Sequence, residues 1–234
     1  MSTVIFDLDG VLVDSEPLWQ QGFADVVNAY CVEQGKADPG LTRDDMVRFH
    51  GGRVKDTVRT LVEEQGLGDT ATDETIAALT DRVVEDAASQ LSDEVTISSS
   101  VDVARRLHEG GTRLAVASSS AQRFIEAVVD RLELADAFEV VQSALELEHG
   151  KPDPEVYELT LVRLGVSARE TIAIEDSVPG VQSALRAGLA VVWLTSEATD
   201  DALELLGDDD PAGVKLVTPT LEYDDVRNVL KELG

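Results

Sequence analysis

Short apolar runs of strand length recur along this chain, at residues 4–6, 114–117, 138–141, 172–174, 191–194 and 216–217. Most are separated by segments of helical period. Phe124, Ile125, Val128, Val129 and Leu132 make one apolar stripe, and Val181, Ala184 and Leu185 belong to another. Gly110-Gly111, Gly165 and Gly188 stand where helices should stop. Strands that are apolar on both faces and alternate with helices predict a parallel sheet covered on both sides. That is a doubly wound, Rossmann-like α/β core. Ligands of such a core collect beyond the carboxyl ends of its strands.

One interval breaks the alternation. Residues 16–91 show helical stripes and no strand: Trp19, Phe23, Val26, Val27 and Tyr30; Val54, Val58, Leu61 and Val62; Ile76, Leu79, Val83 and Ala87. Thr42 and Asp45 have the spacing of a capping box. The expected organisation is an α/β core of residues 1–15 and 92–234, with an all-helical cap domain of residues 16–91 inserted in it. The polar stretch 92–100 reads as the return linker.

Composition narrows the partners. A chain of 234 residues can bury a sizeable core, and it has no apolar run long enough to span a membrane. The single cysteine, Cys31, excludes an intramolecular disulfide. His50, His108 and His149 lack zinc-ligand spacing. A formal charge of −27 leaves no basic stripe for a nucleic-acid backbone. The expectation is a soluble cytoplasmic protein with no nucleic-acid or membrane partner; oligomeric state is not legible. Only 5 of the 19 basic residues are lysines. Low lysine with dispersed acid suggests adaptation to concentrated salt, where repulsion is screened over ~3 Å at 1 M. The alternative is an ordinary acidic protein.

Polar residues cluster where strands end. The run 4–6 delivers Asp7 and Asp9, two residues apart and so aimed at one side if the strand continues. Gly10 then permits a sharp turn. Such a carboxylate pair is costly unless a cation shares it. The run 114–117 leads into Ser118, Ser119 and Ser120, whose hydroxyls and amides at a helix start suit an oxyanion. Lys151 precedes Asp153 and Pro154, a predicted N-cap and first helical residue. The run 172–174 ends on Glu175 and Asp176, and its strand should neighbour the one that carries Asp7.

In this order the motifs resemble the haloacid dehalogenase superfamily of aspartyl-phosphate phosphohydrolases, over nearly the whole chain. Asp7-Leu8-Asp9-Gly10-Val11 is similar to the first motif of that family, Ser118 to the second, Lys151 to the third and Glu175-Asp176 to the fourth. The segments Asp7–Trp19, Lys151–Tyr157 and Ile174–Gly180 resemble the branch of β-phosphoglucomutase and small sugar-phosphate phosphatases. The resemblance implies Mg²⁺ held by Asp7, Asp9 (through its carbonyl), Asp176 and Glu175, the last in or near the shell. It implies Asp7 as nucleophile, Asp9 as acid/base, and Ser118, Ser119 and Lys151 on the phosphoryl oxygens of a small phosphorylated metabolite. Asp9 argues against carbon–halogen chemistry, whose enzymes in this superfamily lack it. Trp19 stands where the mutases resemble one another in carrying histidine, and Arg53 lies one residue before the mutase-like cap arginine. Both are candidate substrate contacts, and Trp19 equally fits helix packing. A Mg²⁺-dependent phosphatase is the expected activity. A phosphomutase and a catalytically idle phosphate sensor are the alternatives.

Overall fold

The computed structural model describes residues 2–49, 54–145 and 147–233. Contacts divide the chain into two units, Met1–Asp14 with Glu94–Gly234, and Ser15–Asp93.

The first unit contains a six-stranded parallel sheet of order β3-β2-β1-β4-β5-β6. Its strands are β1 (Thr3–Phe6), β2 (Arg113–Ser118), β3 (Phe138–Ser143), β4 (Thr171–Glu175), β5 (Ala190–Leu194) and β6 (Val214–Thr218). Each apolar run of the sequence seeds one of them. β1 and β4 are buried throughout, as strands covered on both faces must be. Ile5, Ala115, Ala117, Ala173, Val191 and Trp193 form one core with Val156, Tyr157 and Leu161 and with Val181 and Ala184. The last five lie on two helices, here numbered after those that precede them in the chain. The alternate strand residues Val4, Phe6, Leu114, Val116, Ile172 and Ile174 are fully buried on the opposite face.

The second unit is helical. It holds α1 (Glu16–Glu33), α2 (Arg43–Met46), α3 (Val54–Glu64) and α4 (Asp73–Ser89), with no strand among its described residues. The predicted stripes become its interior: Phe23 and Val27 of α1, Val58, Leu61 and Val62 of α3, Ile76, Leu79 and Val83 of α4 are all buried. The Thr42 amide donates to the Asp45 carboxylate at 2.8 Å, as the capping spacing requires. Thr72 caps α4, accepting from the Thr75 amide. Arg82 and Glu33 join α4 to α1 at 3.0 Å. No helix among the described residues is long and apolar enough to cross a membrane.

The remaining helices are α5 (Ser98–Glu109), α6 (Gln122–Arg131), α7 (Glu155–Leu164), α8 (Val178–Arg186), α9 (Thr199–Glu204) and α10 (Tyr223–Leu233). Two boundaries differ from the sequence expectation. The stretch 92–100 is not all linker, because a short turn occupies Asp93–Val95 and α5 begins at Ser98; buried Ser100, Val101 and Ala104 draw that end into the fold. Helix α7 starts one residue late, with Pro154 at the N-cap and Asp153 accepting from the Glu155 amide at 3.0 Å.

Trp193 ties the sheet to the loop after β4. Its indole is 1 % exposed, and its Nε1–H donates to the Asp176 carbonyl at 3.1 Å. Trp193→Phe keeps most of the packing and orphans that carbonyl. It should lower stability by about 1 kcal/mol, seen in urea as a lower midpoint at unchanged slope. An unchanged midpoint would show that the bond contributes nothing.

Candidate active site

Parallel register brings the strand-end residues together. Phe6 of β1 pairs with Val116 on one side and Ile174 on the other. The next residue, Asp7, donates its amide to the Ile174 carbonyl at 2.9 Å. Asp7 thus leaves the sheet beside Glu175, the last residue of β4, and level with Ala117 of β2.

Lys151 enters from the loop between β3 and α7 and joins these strands. Its ammonium donates to Asp7 Oδ1 at 2.8 Å, to Glu175 Oε1 at 2.6 Å and to the Ala117 carbonyl at 3.1 Å. An ammonium has three protons, and three acceptors meet it. The Lys151 side chain is 6 % exposed and that of Glu175 wholly buried. The Tyr157 hydroxyl donates to the same Glu175 Oε1 at 2.6 Å.

Two glycines make room for the acids. A Cβ on Gly10 (φ +74°) would overlap the Asp176 carboxylate, and a Cβ on Gly180 would overlap that of Glu175. At both positions a side chain would displace a carboxylate of the site.

Asp9 is near enough for its charge to raise Asp7, but it has hydrogen-bond partners of its own. The strand ends at Phe6, so the alternation that would aim both carboxylates at one spot does not operate. The chain turns instead, with the Leu12 amide on the Leu8 carbonyl at 2.8 Å and the Gly10 amide on Val13 at 2.7 Å. Asp9 Oδ2 accepts from Ser118 at 3.1 Å and from Ser120 at 2.7 Å. Ser119 is exposed, and Ser120 is the second hydroxyl at Asp9. The Ser120 carbonyl is held by the Ser143 hydroxyl at 2.6 Å. Trp19 is buried on α1. Arg53 lies outside the described residues.

The electrostatics are unbalanced towards negative charge. Burial first, then the neighbouring Glu175, Asp9 and Asp176 carboxylates, raise Asp7 well above the ordinary carboxylate range against the pull of Lys151. Burial and Glu175 push Asp176 up to about 7. Burial by itself would favour a neutral Lys151, but Asp7 and Glu175 together outweigh it and hold the ammonium charged. Burial and the Glu175 and Asp7 charges raise the Tyr157 phenol, so it stays a donor.

Asp7, Glu175 and Asp176 each offer a carboxylate oxygen, all within 4.8 Å of one another. Their hard oxygen donors and negative excess, with the raised proton affinities of Asp7 and Asp176, suit a hard divalent cation. His149, Asp153 and Glu155 also lie near one another at the start of α7. There the His149 side chain is exposed, and Nδ1 stands 3.4 Å from Glu155.

Residues 4–194 match the family model of haloacid dehalogenase-like hydrolases. The chain is 31 % identical over 234 residues to the phosphorylated carbohydrates phosphatase of Thermotoga maritima, covering all of both proteins. It is 30 % identical over 206 residues to hexitol phosphatase B of Escherichia coli, covering 87 % of this chain and 88 % of that one. The fold is similar to the crystal structure of β-phosphoglucomutase from Clostridium difficile. There the TM-score is 0.71 at 16 % identity, over 99 % of this chain and 98 % of the other.

The raised carboxyls carry a stability signature. Folded metal-free protein keeps the Asp176 proton up to about pH 7, whereas the unfolded chain releases it near pH ~4. Between those values the folded state holds more protons, so stability falls as pH rises. The melting midpoint of metal-free protein should drop from pH 5 to pH 8, and the drop should be smaller in Asp176→Asn. Equal drops in both proteins would contradict the assignment.

Proposed function

This chain belongs to the haloacid dehalogenase-like hydrolases, and we propose that within them it is a Mg²⁺-dependent phosphatase of small phosphorylated metabolites, sugar phosphates foremost. The observation that carries the reading is the buried Lys151 ammonium held between Asp7 and Glu175 at the carboxyl edge of the sheet. The phosphatase names of the two aligned relatives support the substrate class. Asp7 and Asp176 with the Asp9 carbonyl would hold the cation, with Glu175 in or near its shell. When bound, the cation neutralises phosphate charge and polarises the phosphoryl group.

The residues divide the reaction as follows. An Asp7 carboxylate oxygen attacks phosphorus as the bond to the ester oxygen breaks, leaving phosphoaspartate and an alcohol. Asp9 gives its proton to the departing oxygen. It then takes one from the water that attacks phosphorus, which frees inorganic phosphate and restores Asp7. Lys151 and Ser118 stabilise the phosphoryl oxygens as charge redistributes, and the backbone amide of Ser119 offers a further donor, while that of Ser120 donates to the Ser118 hydroxyl oxygen at 3.0 Å. Ser118 and Ser120 hold Asp9 in the resting state. The helical unit, residues 16–91, is proposed as the cap that selects the substrate, with Trp19 and Arg53 as its candidate contacts. A phosphomutase shares this core and differs in passing the phosphoryl group to a second sugar hydroxyl rather than to water.

Mg²⁺-dependent phosphate release from p-nitrophenyl phosphate and from a panel of sugar phosphates tests the proposal. Release is expected; isomerisation of a hexose 1-phosphate without release would favour the mutase, and no turnover by folded protein would favour the sensor. Asp9→Asn should lower kcat by at least about 10²-fold while Mg²⁺ affinity, measured by calorimetry, stays within a factor of a few. Substantial residual turnover would remove Asp9 from its role.

The net charge of −27 and the scarcity of lysine support a protein tuned to concentrated salt. Activity and melting midpoint should both rise with KCl as repulsion is screened. An activity maximum below about 0.2 M, where the Debye length is still ~7 Å, would contradict this.

A further inference from the structure

Tyr157 is a buried phenol that the reaction above does not use. It lies on the first turns of α7 and is fully buried, with its ring in the core between α7 and the sheet. Packing alone would be served as well by phenylalanine. The hydroxyl nevertheless reaches Glu175 Oε1 at 2.6 Å, the same oxygen that receives Lys151 Nζ at 2.6 Å. The Lys151 ammonium also stands 5.3 Å from the centre of the Tyr157 ring. The other Glu175 oxygen has only a long contact, 3.4 Å from the Ser177 hydroxyl, and the carboxylate is seated against Gly180. The Glu175 carboxylate occupies the space that a Cβ at position 180 would take, and two donors fix the oxygen that faces Lys151.

We propose that Tyr157 is a positioning residue: its hydroxyl orients the Glu175 carboxylate, and through it the Lys151 ammonium that must meet the transferring phosphoryl group. Lys151 touches the phosphoryl group; Tyr157 does not. The chain of contacts is Tyr157 to Glu175 to Lys151 to Asp7, every member buried and every distance at or below 2.8 Å. A carboxylate held by one donor can swing about its last torsion, which is broad and roughly two-fold. A second donor on the same oxygen removes that freedom. The benefit falls on the step where phosphoryl charge moves, so it belongs to kcat rather than to substrate capture.

This proposal rests on the phosphatase reading, and its test separates the two. In wild-type protein, phosphate release establishes the reading. In Tyr157→Phe, which retains the ring, kcat should then fall about 10-fold with KM and the Mg²⁺ dissociation constant within about 3-fold of wild type. In a Glu175→Gln background the same Tyr157→Phe change should have no further effect on kcat, because the phenol acts only through that carboxylate. A purely structural tyrosine would lower the melting midpoint, leave kcat unchanged, and overturn the proposal, as would full additivity of the two substitutions. A second readout does not depend on turnover or on the variants' activity. The chain has 3 tyrosines, and in full-length protein labelled with 3-fluorotyrosine the Tyr157 ¹⁹F line should shift on Glu175→Gln. An unmoved line would overturn the proposal even if the phosphatase reading holds.

Discussion

One ammonium buried between two carboxylates organises this site. Lys151 donates to Asp7 and Glu175 in a region where all three charged side chains are buried and solvent can do little to stabilise them. An interior ion pair of this kind adds little net stability, because desolvation consumes most of the attraction. Removing one partner, by contrast, leaves a buried charge unpaired, at a cost of about 3–5 kcal/mol. The lysine is therefore a condition for bringing acids together more than a source of stability. Asp7, Asp176 and Glu175 still exceed the compensation that one ammonium gives, and burial first, with that excess added, raises the proton affinities of Asp7 and Asp176. A site with too much negative charge for its own lysine suits a divalent cation and the dianion that such a cation can carry.

The parallel sheet makes the arrangement possible. Its register sets Asp7 beside Glu175 and level with Ala117, so the ends of three adjacent strands supply two carboxylates and a carbonyl to one ammonium. Backbone requirements follow from the same crowding. Gly10 and Gly180 lie where a methyl group would overlap a carboxylate. The Trp193 indole anchors the Asp176 backbone from the neighbouring strand. Asp9 is held elsewhere, by two serine hydroxyls, which separates the surroundings of two carboxylates proposed for different tasks.

Much of this was legible in the sequence, for identifiable reasons. Apolar runs too short for helices read as strands, and each run became one; four are interior, whereas β3 and β6 form the partly buried edges of the sheet. Three of the four polar motifs lie at strand ends, and Lys151 reaches them from the loop between β3 and α7. The legibility failed where local rules yielded to tertiary ones. Period-two alternation does not extend to Asp9, because the strand ends at Phe6, and it gives no hint of the serine hydroxyls that hold Asp9. The serine run did not disclose which neighbour of Ser118 turns inward; Ser120 does, fixed by Ser143 from a different strand. Helix α5 begins inside a polar stretch because Ser100 and Val101 find burial there. Tyr157 stood in the sequence only as the last residue of the Lys151–Tyr157 segment, since nothing there shows that its hydroxyl meets a carboxylate 18 positions away.

In the proposed reaction Asp7 is the group that receives the phosphoryl, with Lys151 holding it ready. Protein mixed with p-nitrophenyl phosphate and Mg²⁺, quenched in acid and reduced with borohydride, converts an acyl phosphate to the corresponding alcohol, which peptide mass mapping locates. The reduced side chain should be found at position 7 and be absent when substrate or Mg²⁺ is omitted. Phosphate release with no modification at Asp7, or with the modification at another carboxylate, would contradict the account.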